Sequence, residues 1–581
     1  MDNQRNIILA VLLTALVLFG WDAAIRYIYP HADAPRPQAS APATAPSSTK
    51  PTREGGLSDP AAIALEARDL ASELKGPARV PVAAPGLSGS INLTGALIDD
   101  LTTNRHTATV DKKSGPARIF SPPGTPAEHF AQLGWVGKPG ENAALPSAST
   151  LWTAPAGARL TPQTPVTLSW TSPTGQGFTI TYTIDHDYMI TARQSVVNRG
   201  TAPVTVRPFA LISRTQRTAS LDSFNVHSGP IGAFDGAVTF GPNYDDVTEG
   251  SIFANPGKTE WLGFTDVYWM SALIPDAAHA TSDFRALGGS LYRADLLYDP
   301  TALAPGQALT RTTRLFAGAK ESAVLDRYED SGIAKFGLAI DWGWFRWFAK
   351  PIFWLLRALF HTVGNFGVAI ILLTAIVRGI MFPVAQRQFA SMAAMRAIQP
   401  KMKAVQERYK DDKAKQQQEI MALYKAEGVN PIAGCLPIFL QIPVFFALYK
   451  VLILSIEMRH QPFVLWIKDL SAPDPLHILN LFGLLPFTPP SFLAIGVLAV
   501  VLGITMWLQF KLNPAAADPM QQQMFMIMPW VMMFVMAPFA AGLLLYWITS
   551  NLLTIAQQKY LYSRHPQLKA QAAAVPAKGR A

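Results

Sequence analysis

Beyond Asp341 five apolar stretches follow one another, at about 363–383, 431–456, 491–511, 524–538 and 540–557, and none holds an aspartate or glutamate. Such runs leave few architectures open. In hydrocarbon every backbone N–H and C=O must be satisfied within the segment, so each run reads as a membrane helix. Composition agrees, with 49% of residues apolar and 15% charged, against roughly 25% charged in a typical soluble domain. At 581 residues the chain is too long for one core, and a soluble part is expected beside the apolar one.

The basic residues set an orientation. The loop 385–429 carries Arg387, Arg396, Lys401, Lys403, Arg408, Lys410, Lys413, Lys415 and Lys425, whereas 457–490 carries only Arg459 and Lys468. The tail adds Lys559, Arg564 and Lys569. The positive-inside bias therefore places 385–429 and the tail in the cytoplasm, and the net charge of +9 needs no nucleic acid to explain it. Residues 524–557 must then form a helical hairpin turning near Pro538. Each arm spans roughly 22–27 Å against a hydrocarbon core of about 30 Å, which thins the bilayer or tilts neighbours. Met520, Met524, Met526, Met528, Met532, Met533 and Met536 suit an adaptable apolar surface, although ordinary lipid-facing or core methionines are the plainer reading.

Upstream the pattern differs. The apolar run 7–21 behind Arg5 admits two readings: a cleaved signal peptide, with "ADA" at 32–34 as the cleavage site, or an uncleaved transmembrane anchor over 1–29. The topology favours the anchor. Residues 30–60, with Pro30, Pro35, Pro37, Pro42, Pro46 and Pro51 among Ala, Ser and Thr, read as a disordered linker. From 61 to 330 the apolar period is two. "INLTGAL" (91–97), "VTLSW" (166–170), "FTITYTI" (178–184), "YMITARQSVV" (188–197), "VTVRPFALI" (204–212) and "LTRTTRLFAG" (309–318) predict strands of a large antiparallel sandwich. Over 341–361, Trp342, Trp344, Trp347 and Trp354 beside Arg346, Lys350 and Arg357 suit an amphipathic interfacial helix, or else a buried one packed on the sandwich.

Few residues offer chemistry. The single cysteine, Cys435, excludes an internal disulfide and a multi-cysteine metal site. "NPGKT" (255–259) has Ile252 where a phosphate loop needs its first glycine, and "DHD" (185–187) reads as a polar turn. Absent intramembrane carboxylates argue against a proton- or cation-coupled carrier. No convincing catalytic set supports a carbohydrate-active enzyme in the sandwich. Arg378 thus lacks an ionic partner within the spans, and lies about one turn from Pro383. Snorkelling to the headgroups and a water-filled polar cavity stay equally open; Lys450 reads as a snorkeller. The loop "VAQRQFASMAAMRAIQPKMKAVQERYK" and "DDKAKQQQEIMALYKAEG" predicts a helical hairpin interrupted at Pro400, N-capped by Asp412 and stopped at Gly428. It is a solvated orienting loop or a docking surface for an anionic partner.

Four stretches carry a resemblance: "MDNQRN", "IVRGIMFPVAQRQFASMAAMRAIQPKM" (376–402), "MALYKAEGVNPIAGCLPIFLQIPVFFALYKVL" (421–452) and "DPMQQQMFMIMPWVMMFVMAPFAAGLLLYWITSNLLTIAQQ" (518–558). The chain resembles the Gram-negative YidC-type membrane protein insertases of the Oxa/Alb family. The resemblance implies a multi-domain membrane protein: an all-α five-helix transmembrane insertase core over 363–560, an N-terminal transmembrane anchor, and an all-β periplasmic supersandwich domain, mutarotase-like, over 61–330. It implies insertion and assembly of integral inner-membrane proteins, alone or with the Sec translocon, with no covalent chemistry and no cofactor. Arg378 matches the family's groove arginine; Thr374 and Gln441 would line the groove. Phe445, Tyr546 and Trp547 match positions along which a substrate segment slides. Arg396, Lys401, Lys403, Arg408 and Lys410 would form the cytoplasmic docking face. Implied partners are nascent membrane proteins, SecYEG and SecDF, ribosome and signal-recognition targeting components, and phospholipids, with no specific nucleic-acid sequence. The expected location is the inner membrane, multi-pass, both termini cytoplasmic and 61–330 periplasmic. The external segment "HILNLFGLLPFTPP" (477–490) is lengthened, and the tail 561–581 is short and modestly basic, which shifts expected ribosome contact to the hairpin 385–429.

Overall fold

The computed structural model describes residues 54–564 apart from 77, 139–143, 221–225, 248–251, 255–256, 278, 344–345, 429–435, 483, 486–493 and 513–518. The anchor over 1–29, linker residues 30–53, Trp344, Cys435 and the tail beyond 564 lie outside the described residues.

The first described element is helix α1 (Pro60–Glu73), opened by Asp59, whose side chain accepts from the Ala61 amide at 3.1 Å, with proline at the tolerant first position. The boundary expected at 61 is therefore a helix start, and the first strand begins at Arg79. Glu66 docks the helix on the sandwich by accepting from the Ala127 amide at 2.9 Å.

Two antiparallel sheets follow. The larger runs, in spatial order, Arg79–Ala83, Leu87–Asn92, Leu97–Thr107, His129–Gly137, Val204–Thr215, Leu291–Tyr298, Ala280–Gly288 and Ile252–Ala254; Pro116–Phe120 and Thr301–Leu303 pair off this path. The smaller runs Ala237–Phe240, Gly229–Phe234, Thr259–Thr265, Trp269–Pro275, Ala308–Ala319, Met189–Asn198, Gln176–Ile184 and Val166–Thr171. Rings from the two sheets meet between them, Trp135 on Phe178 at 5.0 Å and Phe264 on Phe284 at 6.1 Å between centroids. The alternating stretches at 166–170, 178–184, 188–197, 204–212 and 309–318 are strands as expected. "INLTGAL" is not one strand. Asn92 pairs with Leu97, and the four residues between them turn the chain, with Gly95 and Ala96 at φ +74° and +53°.

A buried cation sits where the sandwich passes into helix α2 (Ser322–Asp330). Lys320 is 3% exposed and donates to Thr265 Oγ1 at 2.9 Å and the Ala339 carbonyl at 3.4 Å. Burial pulls its amine down to about 8, against a partial opposing pull from Asp266 and Asp341. The native state thus releases its proton before the unfolded chain does, and folding becomes more favourable as pH rises from 8 towards the ordinary lysine range. Buried tyrosines close the window, because burial lifts the phenols of Tyr182 and Tyr244 above their usual range and costs stability above pH 10. Between pH 8 and 10, native protein should gain up to about 1.4 kcal/mol per pH unit relative to Lys320→Met. Paired urea titrations of the two proteins measure it; parallel pH dependences would refute it.

The rest is helical: α3 (Arg346–Val363), α4 (Phe366–Ile380), α5 (Phe382–Arg408), α6 (Lys413–Ala426), α7 (Leu436–Leu454), α8 (Val497–Leu512), α9 (Pro519–Met536) and α10 (Ala541–Arg564). Helix α3 is amphipathic. Ala349, Ile352, Phe353 and Leu356 are buried against α4 and α7, while Trp347 and Trp354 stand 70% and 71% exposed. Apolar side chains also face outward on α8 (Ile504, Trp507, Leu508) and α9 (Ile527, Trp530, Phe534), the pattern of helices packed together with an apolar exterior. Among the described residues no helix is both long and apolar enough to cross a membrane. Helices α4 and α8 have 15 and 16 residues, roughly 22–24 Å at 1.5 Å per residue.

Pro400 does not interrupt the basic loop. Helix α5 runs through it, and Ile398 and Met402 are buried against Leu423 and Tyr424 of α6, so packing on both sides of the proline holds the helix. The α6 caps are as expected: Asp412 accepts from the Lys415 amide at 3.0 Å, and Gly428 takes φ +65°.

Candidate functional site

Helix α4 carries Arg378 in its last turn. Its start is fixed by Asn365, whose side chain accepts from the Val368 amide at 3.1 Å and donates to the Phe463 carbonyl at 3.1 Å. Gly367 lets Phe463 lie on the helix, since a Cβ there would fall 2.0 Å from Phe463 Cδ2. Helix α10 packs along α4. At the shared end the Arg378 guanidinium donates to Ser550 Oγ through Nε at 3.1 Å and also through Nη2. Gln557 donates to the Arg378 carbonyl at 3.4 Å.

The expected residues are only partly brought together. Arg378 is half-buried, and among the described residues the Ser550 hydroxyl is the one side-chain partner of its guanidinium and no carboxylate lies in ion-pair range. Gln441 on α7 donates to the Tyr546 hydroxyl of α10. One residue on, Trp547 meets Phe445 edge-on at 5.3 Å between centroids. Tyr546 is buried, whereas Phe445 and Trp547 are partly exposed. Thr374 is on the expected face yet 1% exposed, and its hydroxyl donates to the Ile370 carbonyl one turn back at 2.6 Å. A threonine bonded into its own helix offers little to a ligand. Lys450 is not a free snorkeller: its ammonium reaches Asp341, 3.2 Å from Oδ2 and 3.1 Å from the carbonyl.

On the helical hairpin Lys401 pairs with Glu427 at 2.5 Å, across from α5 to the end of α6. Arg408 lies over Tyr409 at 5.6 Å. Lys403 and Lys410 are exposed, and the Arg396 side chain lies outside the described residues. The DHD turn is structural as expected. Asp185 accepts from the Tyr328 hydroxyl at 2.6 Å, and Asp187 pairs with Arg105 and Arg327 at 2.5 and 2.6 Å.

Sequence reasoning missed Ser550. Its signal was the polar run Thr549, Ser550 and Asn551 inside an apolar stretch. Asn551, 4% exposed, ties α10 to α8 by donating to Thr505 Oγ1 at 3.2 Å, so neighbouring residues of this run bond to different helices.

Comparison with known proteins places the chain in a family. Residues 358–569 match the family model for the 60Kd inner membrane protein, and residues 79–355 match that for the YidC periplasmic domain. The membrane protein insertase YidC of Zymomonas mobilis is 44% identical over 568 residues, covering 97% of this chain and 96% of its own. That of Nitrobacter hamburgensis is 44% identical over 585 residues, covering 97% and 96%. A solved structure, "Active YidC insertase crystal structure with the first transmembrane domain resolved", aligns over 84% of this chain and 93% of its own, with 18% identity and a TM-score of 0.37. Near-full-length identity on both sides, across the β-sandwich and the helical part alike, settles kinship: the chain belongs to the YidC family of membrane protein insertases.

Proposed function

We propose that the chain inserts nascent membrane proteins by way of a polar groove whose charged element is Arg378. The observation that carries this reading is the unmatched guanidinium. It has five N–H donors, and among the described residues one serine hydroxyl meets them. A half-buried cation with uncommitted donors suits the acidic flank of an incoming segment, because charge-assisted bonds strengthen where water is scarce. Gln441 and Tyr546 add a polar pair, and Phe445 and Trp547 an apolar path beside it. The substrate's apolar part then leaves sideways into lipid.

The orientation follows the basic residues: α5, α6 and both termini in the cytoplasm, the sandwich in the periplasm, and the helices α4 and α7 to α10 crossing as a multi-pass core. The shortness of α4 and α8 supports local thinning of the bilayer, which shortens the distance a polar flank must travel. Helix α3, with its exposed tryptophans, lies along the membrane surface. The exposed Lys403 and Lys410, with Arg408, form the docking face for the ribosome or targeting components, and cooperation with the Sec translocon adds larger substrates. No covalent step or cofactor is required. The mutarotase-like sandwich takes no catalytic role in this reading.

Photocrosslinkers placed at Gln441, Phe445 and Trp547 test the groove. Each should capture a ribosome-bound membrane segment, while a probe at Trp347 should not. Equal capture at all four positions, or capture at Trp347 alone, would remove the groove.

A further inference from the structure

Glu54, His460 and Asp469 meet where the start of the described chain reaches the segment after α7. Each offers a ligand atom, and these atoms all lie within 4.8 Å of one another. Asp469 is 7% exposed. Its Oδ1 accepts from the Ser471 amide at 2.8 Å and the Ser471 hydroxyl at 2.7 Å, but Oδ2 is buried with no hydrogen-bond partner among the described residues. A carboxylate oxygen removed from water without a partner is costly, and a bound cation relieves that cost.

Arg459 adjoins the group without replacing the missing partner. Its Nη2 and Nε bond Glu54 Oε2 at 2.8 and 3.2 Å. The same guanidinium is held independently by the carbonyls of Thr107 and Ala108, at 2.8 and 2.9 Å, and lies over Trp269 at 5.3 Å. Among the described residues only Oε2 of Glu54 is engaged, and His460 Nε2 stands 3.3 Å from that oxygen.

We propose that Glu54, His460 and Asp469 form a binding site for a divalent transition-metal cation of the zinc type. An imidazole nitrogen with two carboxylates favours such a metal over calcium or magnesium, which prefer all-oxygen shells. Binding exchanges the long His460–Glu54 contact for two metal bonds, leaves Glu54 Oε2 with Arg459, and gives Asp469 Oδ2 its partner. The bound cation clasps residue 54 to the segment between Ile456 and Ser471.

The test is calorimetric titration of zinc into metal-stripped, tag-free, full-length protein in detergent micelles at pH 7. A single site is expected, with affinity falling roughly tenfold or more in Asp469→Asn and in His460→Gln. Asp469→Asn keeps Oδ1 for Ser471, and the His460 variant covers the case in which the first fails to fold. His279→Gln, which removes an exposed histidine 3.1 Å from Asp299, should leave zinc binding unchanged. Native protein that binds no zinc, zinc binding unaltered in both site variants, or calcium bound as tightly as zinc would overturn the proposal.

Discussion

Arg378→Ala should lower insertion of substrates with acidic translocated flanks roughly 10- to 100-fold, while substrates with neutral flanks lose no more than about twofold. The size follows from hydrogen bonds to charged groups, worth about 1.5–3 kcal/mol, at 1.4 kcal/mol per tenfold. Arg378→Lys should fall between, because an ammonium keeps the charge but lacks the planar fork that grips a carboxylate with two bonds. Folding should survive, since the guanidinium's described side-chain partner is the Ser550 hydroxyl, and losing such a bond costs about 1.5–3 kcal/mol, less than the roughly 5–15 kcal/mol by which native proteins are typically stable. Purified protein in vesicles, scored by protease protection of the translocated tail, provides the measurement. The vesicles should carry no membrane potential, which by itself favours outward movement of negative charge by about 2.3 kcal/mol per charge at 100 mV. Equal insertion of acidic flanks by the alanine variant would eliminate the electrostatic role and leave family membership untouched.

What the sequence revealed of this site, and what it hid, divides along physical lines. Helix existence was legible from apolar length, which is a local and additive signal. Ser550 was not legible, because its role depends on α10 lying along α4, so that a residue 172 positions away meets Arg378. Thr374 shows the converse: same-face spacing from Arg378 was right, yet facing the right way does not make a hydroxyl available once it bonds to its own helix. Lys450 likewise acquired Asp341 from a segment 109 positions earlier.

The sandwich divides in the same manner. Gln176–Ile184 alternates buried and less buried positions almost perfectly, and period two exposed it. Thr259–Thr265 and Trp269–Pro275 hide because their burial scarcely alternates. The segment after α2 covers their far side, where Trp261 stacks edge-on with Phe336 at 5.4 Å and donates to the Ala334 carbonyl at 3.0 Å. A strand covered on both faces has no polar side to alternate with. Pro400 misled for a related reason, since the contacts of Ile398 and Met402 with α6 outweigh a local preference to break.

The largest stability effect should come from Asp266, which organises one end of the sandwich. Its Oδ2 accepts from Arg214 Nη2 at 2.5 Å, and its Oδ1 accepts from the Ser220 amide at 2.9 Å, the Ser220 hydroxyl at 3.2 Å and the Ser228 hydroxyl at 3.0 Å. Asp266 is 5% and Arg214 3% exposed, so neither charge has water to fall back on. Arg214 has few alternatives: Nε lacks a hydrogen-bond partner among the described residues, and the Thr218 carbonyl is 3.5 Å from Nη2. The neighbouring His129, held neutral because burial and the positive charge of Arg214 push its imidazole well below its usual range, brings no negative charge to replace the carboxylate. Asp266→Ala should accordingly cost about 3–5 kcal/mol, the toll of stranding a buried charge rather than the net worth of the pair. For a domain of this size that corresponds to a fall of roughly 6–20 °C in the unfolding midpoint, followed by tryptophan fluorescence of the full-length protein in micelles. Replacing both partners, Arg214→Met with Asp266→Leu, should recover a substantial part of the loss, because no charge is then left without a partner. An Asp266→Ala midpoint within about 2 °C of native would mean that Arg214 finds water or another acceptor, and that the buried network does not hold this end of the sandwich together.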